Sequence, residues 1–170
     1  MKYTEDEINL IVLASFTDLS YGARREILNG FSSPGLIKRL NGGVYNSVSE
    51  KLCDQKYRER VLEELDRRGV GCVTIVSEDY PEKLKEIHDP PLTLFIKGDR
   101  SLLGTEKFSI VGSRHTLTAV QSLCKKFSCA LSEHFTIVSG LADGADSAAL
   151  EGALEGGKAI SVLAYGLDFV

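Results

Sequence analysis

The sequence predicts an α/β protein, a Rossmann-like parallel sheet preceded by a small all-helical domain, on three observations. Through residue 68 the apolar residues recur at helical spacing. After Gly69 the texture changes to short β-branched runs, CVTIV, LTLFI, FSIVG, FTIVSG and AISVLAYG. Helical segments separate these runs. Continuous apolar strands spaced by helices imply a parallel sheet covered on both faces. The boundary is expected in Arg67–Gly71, RRGVG, giving domains 1–68 and 69–170. The chain stops at GLDFV, where the carboxyl end of a strand would normally feed another helix, so the sheet reads as incomplete.

TEDEINLIVLAS, from Thr4, predicts a helix with Thr4 as its cap, acids in its first turn and apolar positions behind them. YGARREILNGF predicts a second, with Ala23, Ile27 and Leu28 on one face and Asn29-Gly30 as its stop. SSPGLIKRL restarts helix with Pro34 in the first turn, and EKLCDQKYRERVLEELDRR predicts a longer amphipathic helix ending before Gly69. TLTAVQSLCKKFSCALSEH and DGADSAALEGALEGG supply the helices between the later strands.

Hydrophobic residues make up 43% and charged residues 26% of the 170, which supports a packed core and excludes disorder. The net charge of −4 excludes a uniformly basic nucleic-acid coat, so a polyanion would have to meet a local patch. Cys53, Cys72, Cys124 and Cys129 form no CxxC pair and follow no secretory leader, which points to reduced thiols, no metal site and a cytoplasmic protein. The amino-terminal apolar run is too short and too acidic in its flank for a signal peptide or a membrane span.

In an open parallel sheet the binding crevice lies at the carboxyl ends of the strands. Two turns there are built for close approach: Gly112-Ser113-Arg114, and Ser139-Gly140-Leu141-Ala142-Asp143-Gly144. Glycine admits a ligand without a Cβ in the way, and a helix start presents unpaired amides with the positive end of the macrodipole. Were the two strands neighbours, about 4.8 Å apart, the two helix starts would form one anion-binding ledge, with Arg114 as a planar fork for phosphate oxygens.

Other signals carry less. GALEGGKA, Gly152–Ala159, matches GxxxxGK but has Ala159 where a metal-binding hydroxyl is needed and precedes a strand, so it reads as a helix stop. GLADGADS lacks the GxGxxG dinucleotide fingerprint, and no cofactor is expected. Asp143 and Asp146 with His115 form a conceivable acid/base cluster, but Asp at a helix start is more often a cap, and no catalytic residue is assigned. Tyr80, Phe95 and Tyr165 are either base-stacking platforms or packing. Lys97, Arg100, Lys107, Lys125 and Lys126 are either a basic rim or a solvated face.

DYPEKLKEIHDPPLTLFIKGD (79–99), FSIVGSRHTLT (108–118), IVSGLADGADSAALEGAL (137–154) and GGKAISVLAYGLD (156–168), in this order and spacing, resemble the DNA-processing protein A family, DprA or Smf. The leader, with DLSYGARREILNGFSSPGLI, resembles that family's sterile-alpha-motif-like (SAM-like) domain. The resemblance implies a cytoplasmic, non-catalytic single-stranded DNA binder that protects incoming DNA in natural transformation, assists loading of a RecA-type recombinase and can form a homodimer. By position it implies phosphate contacts from Gly112, Ser113 and Arg114, a pocket lined by Ser139, Gly140, Leu141 and Ala142, and a turn shaped by Gly144 and Asp146. The chain departs from the family at Ala119-Val120 and at Leu150, and stops where the family continues its Rossmann domain. A small-nucleotide sensor or nucleotide hydrolase on a similar Rossmann-like layout is the alternative.

Overall fold

Thr4 begins the first helix of the computed structural model as its sequence predicts. Its hydroxyl accepts from the Glu7 amide at 3.3 Å while the Glu7 carboxylate accepts from the Thr4 amide at 2.8 Å, closing a capping box over α1 (Glu5–Ala14). Ile8–Leu13 are buried throughout, so α1 is an interior helix. The structure describes residues 2–16, 22 and 46–167. The expected helices at YGARREILNGF, apart from Gly22, and at SSPGLIKRL lie outside them.

The expected single helix over EKLCDQKYRERVLEELDRR is two. α2 (Asn46–Cys53) ends at Asp54, whose carboxylate accepts from the Lys56 and Tyr57 amides at 2.9 and 3.2 Å and so caps a new helix, α3 (Gln55–Arg67). At the far end Gly69, at φ 65, takes the left-handed conformation. Its amide donates to Asp66 and that of Val70 to Leu65, the paired bonds of a Schellman stop.

The chain divides into two compact units, Met1–Arg100 and Ser101–Val170. In the first, β1 (Gly71–Thr74) pairs with β2 (Thr93–Ile96), and Ile8, Leu10, Val12 and Leu13 of α1 form one core with Val48, Leu52 and Leu92. Tyr3 accepts the Cys72 amide and Thr93 donates to the Leu10 carbonyl, both at 3.1 Å, fixing helix to hairpin. The pairing is antiparallel, contrary to the parallel arrangement expected for CVTIV and LTLFI. The connection explains it: α4 (Glu82–Lys85) is a single turn, and buried Tyr80 donates to the Pro91 carbonyl at 2.7 Å, so the chain folds back instead of crossing over a helix.

In the second unit β3 (Lys107–Ser109), β4 (Thr136–Ser139) and β5 (Lys158–Ser161) form a parallel sheet with β4 central. α5 (Thr118–Ser132) and α6 (Ala145–Gly156) provide the helical crossovers that parallel strands need. These helices approach closely through small residues. A Cβ on Gly152 would meet the Lys125 carbonyl carbon at 2.8 Å, and Ser128 donates to the Ala149 carbonyl. The GALEGGKA segment is the end of α6, as expected.

Candidate nucleic-acid interface

The strands that end in the two glycine turns are sheet neighbours, Lys107–Ser109 lying in register with Thr136–Val138. The turns themselves are bonded together. The Ala145 amide donates to the Ser113 carbonyl and the Gly112 amide to the Asp146 carboxylate, each at 3.1 Å. A Cβ on Gly112 would come within 2.7 Å of the Ala145 Cβ, and one on Gly140 within 2.8 Å of an Asp146 oxygen. Gly144, at φ 88, faces the Ser113 and Arg114 carbonyls so closely that the Arg114 oxygen would lie 2.6 Å from an added Cβ. The space that glycine opens here is filled by the neighbouring loop.

The first turn is longer than expected. α5 begins at Thr118, capped by Leu117 with no side-chain bond, so Arg114 belongs to an irregular loop, not to a helix start. Ser113 makes a local turn, its hydroxyl accepting from the His115 amide at 3.1 Å. Only the second turn leads straight into a helix. Among the described residues the amides of Leu141, Ala142, Asp143 and Gly144 donate to no protein group, and they sit at the positive end of the twelve-residue α6. Ser147 holds this loop with its amide and hydroxyl, both on the Ala142 carbonyl at 3.1 and 2.7 Å.

Arg114 is exposed and is paired with no carboxylate among the described residues. Ser139 is different. Only 2% exposed, it donates to the Ile110 carbonyl at 2.7 Å, so its hydroxyl ties the two strand exits together. Asp146 is 7% exposed and holds Gly112, a role that local sequence could not display because the partners are 34 residues apart. Its charge is felt nearby: burial first, and Asp146 second, push the Cys124 thiol above its ordinary value. Asp143 and His115 are exposed, and Asp146 is buried in the loop contact.

The candidate basic residues differ in their partners. Lys107 caps the Leu103 and Thr105 carbonyls at 2.7 Å, at the amino end of β3. Lys125 is held by Glu155 at 2.7 Å, and Arg100 by Asp79 within the first unit. Lys97 and Lys126 are exposed. Of the aromatic candidates, Tyr80 is core, Phe95 is 41% exposed in the first unit, and Tyr165 is 48% exposed after β5. Exposed apolar residues that sequence reasoning passed over include Val111 after β3, Leu117 ahead of α5 and Val162 after β5. Leu141, at φ 59, is the non-glycine residue with positive φ among those described, a conformation costing about 1–2 kcal/mol.

Parallel strands joined by helices and ending in bonded glycine loops place the second unit in the open α/β class. A family model described as DNA recombination-mediator protein A matches residues 71–170, and the chain belongs to that family. It is 43% identical over 96 residues to the DNA processing protein DprA of Streptococcus pneumoniae, covering 56% of this chain and 34% of that protein. Protein Smf of Borreliella burgdorferi is 31% identical over 146 residues, 82% of this chain and 46% of the relative. The chain thus spans between a third and a half of these relatives.

Among solved structures, the X-ray structure of DNA processing protein A from Streptococcus pneumoniae superposes with TM-score 0.66 at 28% identity, covering 99% of this chain and 60% of the other. DNA processing protein A of Helicobacter pylori, described for its single-stranded DNA binding mode, superposes with TM-score 0.53 at 30% identity, over 59% of this chain and 45% of that one.

Proposed function

We propose that this chain binds single-stranded DNA at the carboxyl ends of β3 and β4, without catalysis. Arg114 and the amides of Leu141–Gly144 hold phosphate oxygens, Ser113 adds a hydroxyl, and Gly112, Gly140 and Gly144 let the two loops come together. Ser139 and Asp146 act through the loops, not on the ligand. The observation that carries this reading is exposed Arg114, without a carboxylate partner among the described residues, in a loop whose backbone packs on Gly144 at the end of four amides that donate to no protein group. Membership of the recombination-mediator family and likeness to the Helicobacter pylori protein support the choice of DNA.

Within a longer protein the same site serves to protect incoming DNA in the cytoplasm and to assist a RecA-type recombinase, with a homodimer as the working form. The test is titration of a labelled oligonucleotide at two salt concentrations, beside a panel of mononucleotides. Arg114→Ala weakens binding to every sequence alike and makes the log–log salt slope shallower by about 0.7, the value for one phosphate neutralised on a single strand. Unchanged affinity and slope remove Arg114 from the site. Saturable binding of a mononucleotide with none of the oligonucleotide transfers the site to a nucleotide sensor.

A further inference from the structure

Away from the strand ends, the first unit carries an open groove of about 460 Å³ between α1, α3 and β2. Ile11 of α1, Val61 and Leu65 of α3 and Phe95 of β2 give it an apolar lining. Ile11 is fully buried, whereas Phe95 is 41% exposed, a large aromatic side chain left in water. The hydroxyls of Ser15 and Tyr57, which also line the groove, lie 3.2 Å apart and satisfy one another. Tyr57, Val61 and Leu65 recur every four positions, so the groove follows α3 for two turns, about 12 Å.

Charge at its rim is unbalanced at one place. Arg58 is paired with Glu5. Arg67 and Arg68 share Glu64, whose carboxyl they hold down to about 2, the Arg67 hydrogen bond contributing most. Arg60 lines the groove, is exposed, and has no carboxylate partner among the described residues. Along α3 as a whole, Lys56, Arg58, Arg60 and Arg67 balance Glu59, Glu63, Glu64 and Asp66, so the helix offers no cationic field to a polyanion. What the groove lacks is a single carboxylate.

We infer that the groove receives the apolar face of an acidic amphipathic helix from a partner protein, with apolar side chains on Leu65 and Phe95 and one carboxylate on Arg60. A groove this open cannot enclose a small ligand, which sites of this volume bury by about 70–90%. It suits a helix laid along it, whose i, i+3, i+4 and i+7 side chains span the same two turns. Aromatic residues and arginine carry much of the binding energy at such contacts, and the groove exposes one of each. Stacked bases find less there, since the lining is largely aliphatic and the Tyr57 ring already carries the Lys51 ammonium at 5.3 Å. The inference is independent of DNA binding at the strand ends.

The experiment titrates the full 170-residue chain with labelled helical peptides of about fifteen residues, each with leucines at i, i+3, i+4 and i+7 and with glutamates, glutamines or lysines on the flanks. Amide chemical-shift mapping locates each peptide, and circular dichroism confirms that the variants are folded. The glutamate peptide is expected to bind saturably, with shifts gathered at Ile11, Val61, Leu65 and Phe95, and about tenfold more tightly than the lysine peptide. Arg60→Glu is expected to reverse that order and to leave oligonucleotide affinity unchanged. Equal affinity for the three peptides, an Arg60→Glu chain that keeps the parent's order, shifts gathered outside the groove, or no saturable binding below about 1 mM overturns the inference. Displacement of the peptide by an oligothymidylate that also shifts Phe95 overturns it and gives the groove to nucleic acid. Self-association of the parent that Arg60→Glu removes overturns it and gives the groove to a second copy.

Discussion

Gly144→Ala is the sharpest test of how the two turns are built. Gly144 sits at φ 88, where an alanine costs about 1–2 kcal/mol from the clash of Cβ with its own backbone. The added methyl also meets the Ser113 and Arg114 carbonyls, the second at 2.6 Å, and these are backbone atoms that no rotamer change can move. Forcing them apart adds about 1–3 kcal/mol, for a total of about 2–5 kcal/mol. Urea unfolding followed by circular dichroism reads the loss, and amide exchange at Ala145 reports whether its bond to the Ser113 carbonyl has opened. Gly104→Ala is the control, since nothing lies within 4 Å of a Cβ there and the change should be neutral within about 0.5 kcal/mol. Equal stability of the two variants, with Ala145 still protected, would refute the close packing of the loops.

Asp146→Ala leaves the Gly112 amide without its acceptor and should cost about 1–3 kcal/mol in the same urea assay, while Asp146→Asn keeps an oxygen there and loses less. In native protein, a thiol reagent near neutral pH should label exposed Cys53 first and leave Cys72 until unfolding, because burial raises the Cys72 thiol to about 11 and closes it to the reagent. Mass spectrometry of quenched peptides checks the order. The Arg100 bond holds the Asp79 carboxyl below its ordinary 3.8, against a smaller opposing effect of burial. A depressed folded pKa means that the contribution is full above the unfolded value and is lost as pH falls through the folded one. Acid titration of stability should therefore show Asp79→Asn flattening the profile below about pH 4, by less than about 1 kcal/mol because both groups are partly exposed.

Much of the local structure was legible because its causes are local. Thr4 and Glu7 lie three residues apart and close their own box, and Gly69 stops α3 from within the last turn. The parallel pairing of β3 with β4 followed from a fifteen-residue helix between two apolar strands. The antiparallel β1–β2 pair was not legible, since a short buried run reads alike in either direction and the decision rests on Tyr80 reaching the Pro91 carbonyl. The split at Asp54 was missed because the apolar period continues through it, although an Asp ahead of a charged turn is itself a cap signal. The pairing of Lys125 was not legible for a non-local reason: it faces α6, where Glu151 and Glu155 take its charge at 3.7 and 2.7 Å.

The glycines of the candidate site show where sequence and structure divide. In sequence they signal room for a ligand, but the room at Gly112, Gly140 and Gly144 belongs to the partner loop and its Asp146 carboxylate. On the proposed reading the groups left to face a ligand are Arg114 and the amides of Leu141–Gly144. Two kinds of variant should therefore separate. Changes at Gly144 or Asp146 lower stability, and affinity falls only as the loops part. Changes at Arg114 lower affinity with the fold intact, because its side chain carries none of the loop contact. A variant at Arg114 that unfolds the loops, or an alanine at Gly144 that leaves stability untouched while abolishing binding, would reverse this division and move the glycines back to the ligand.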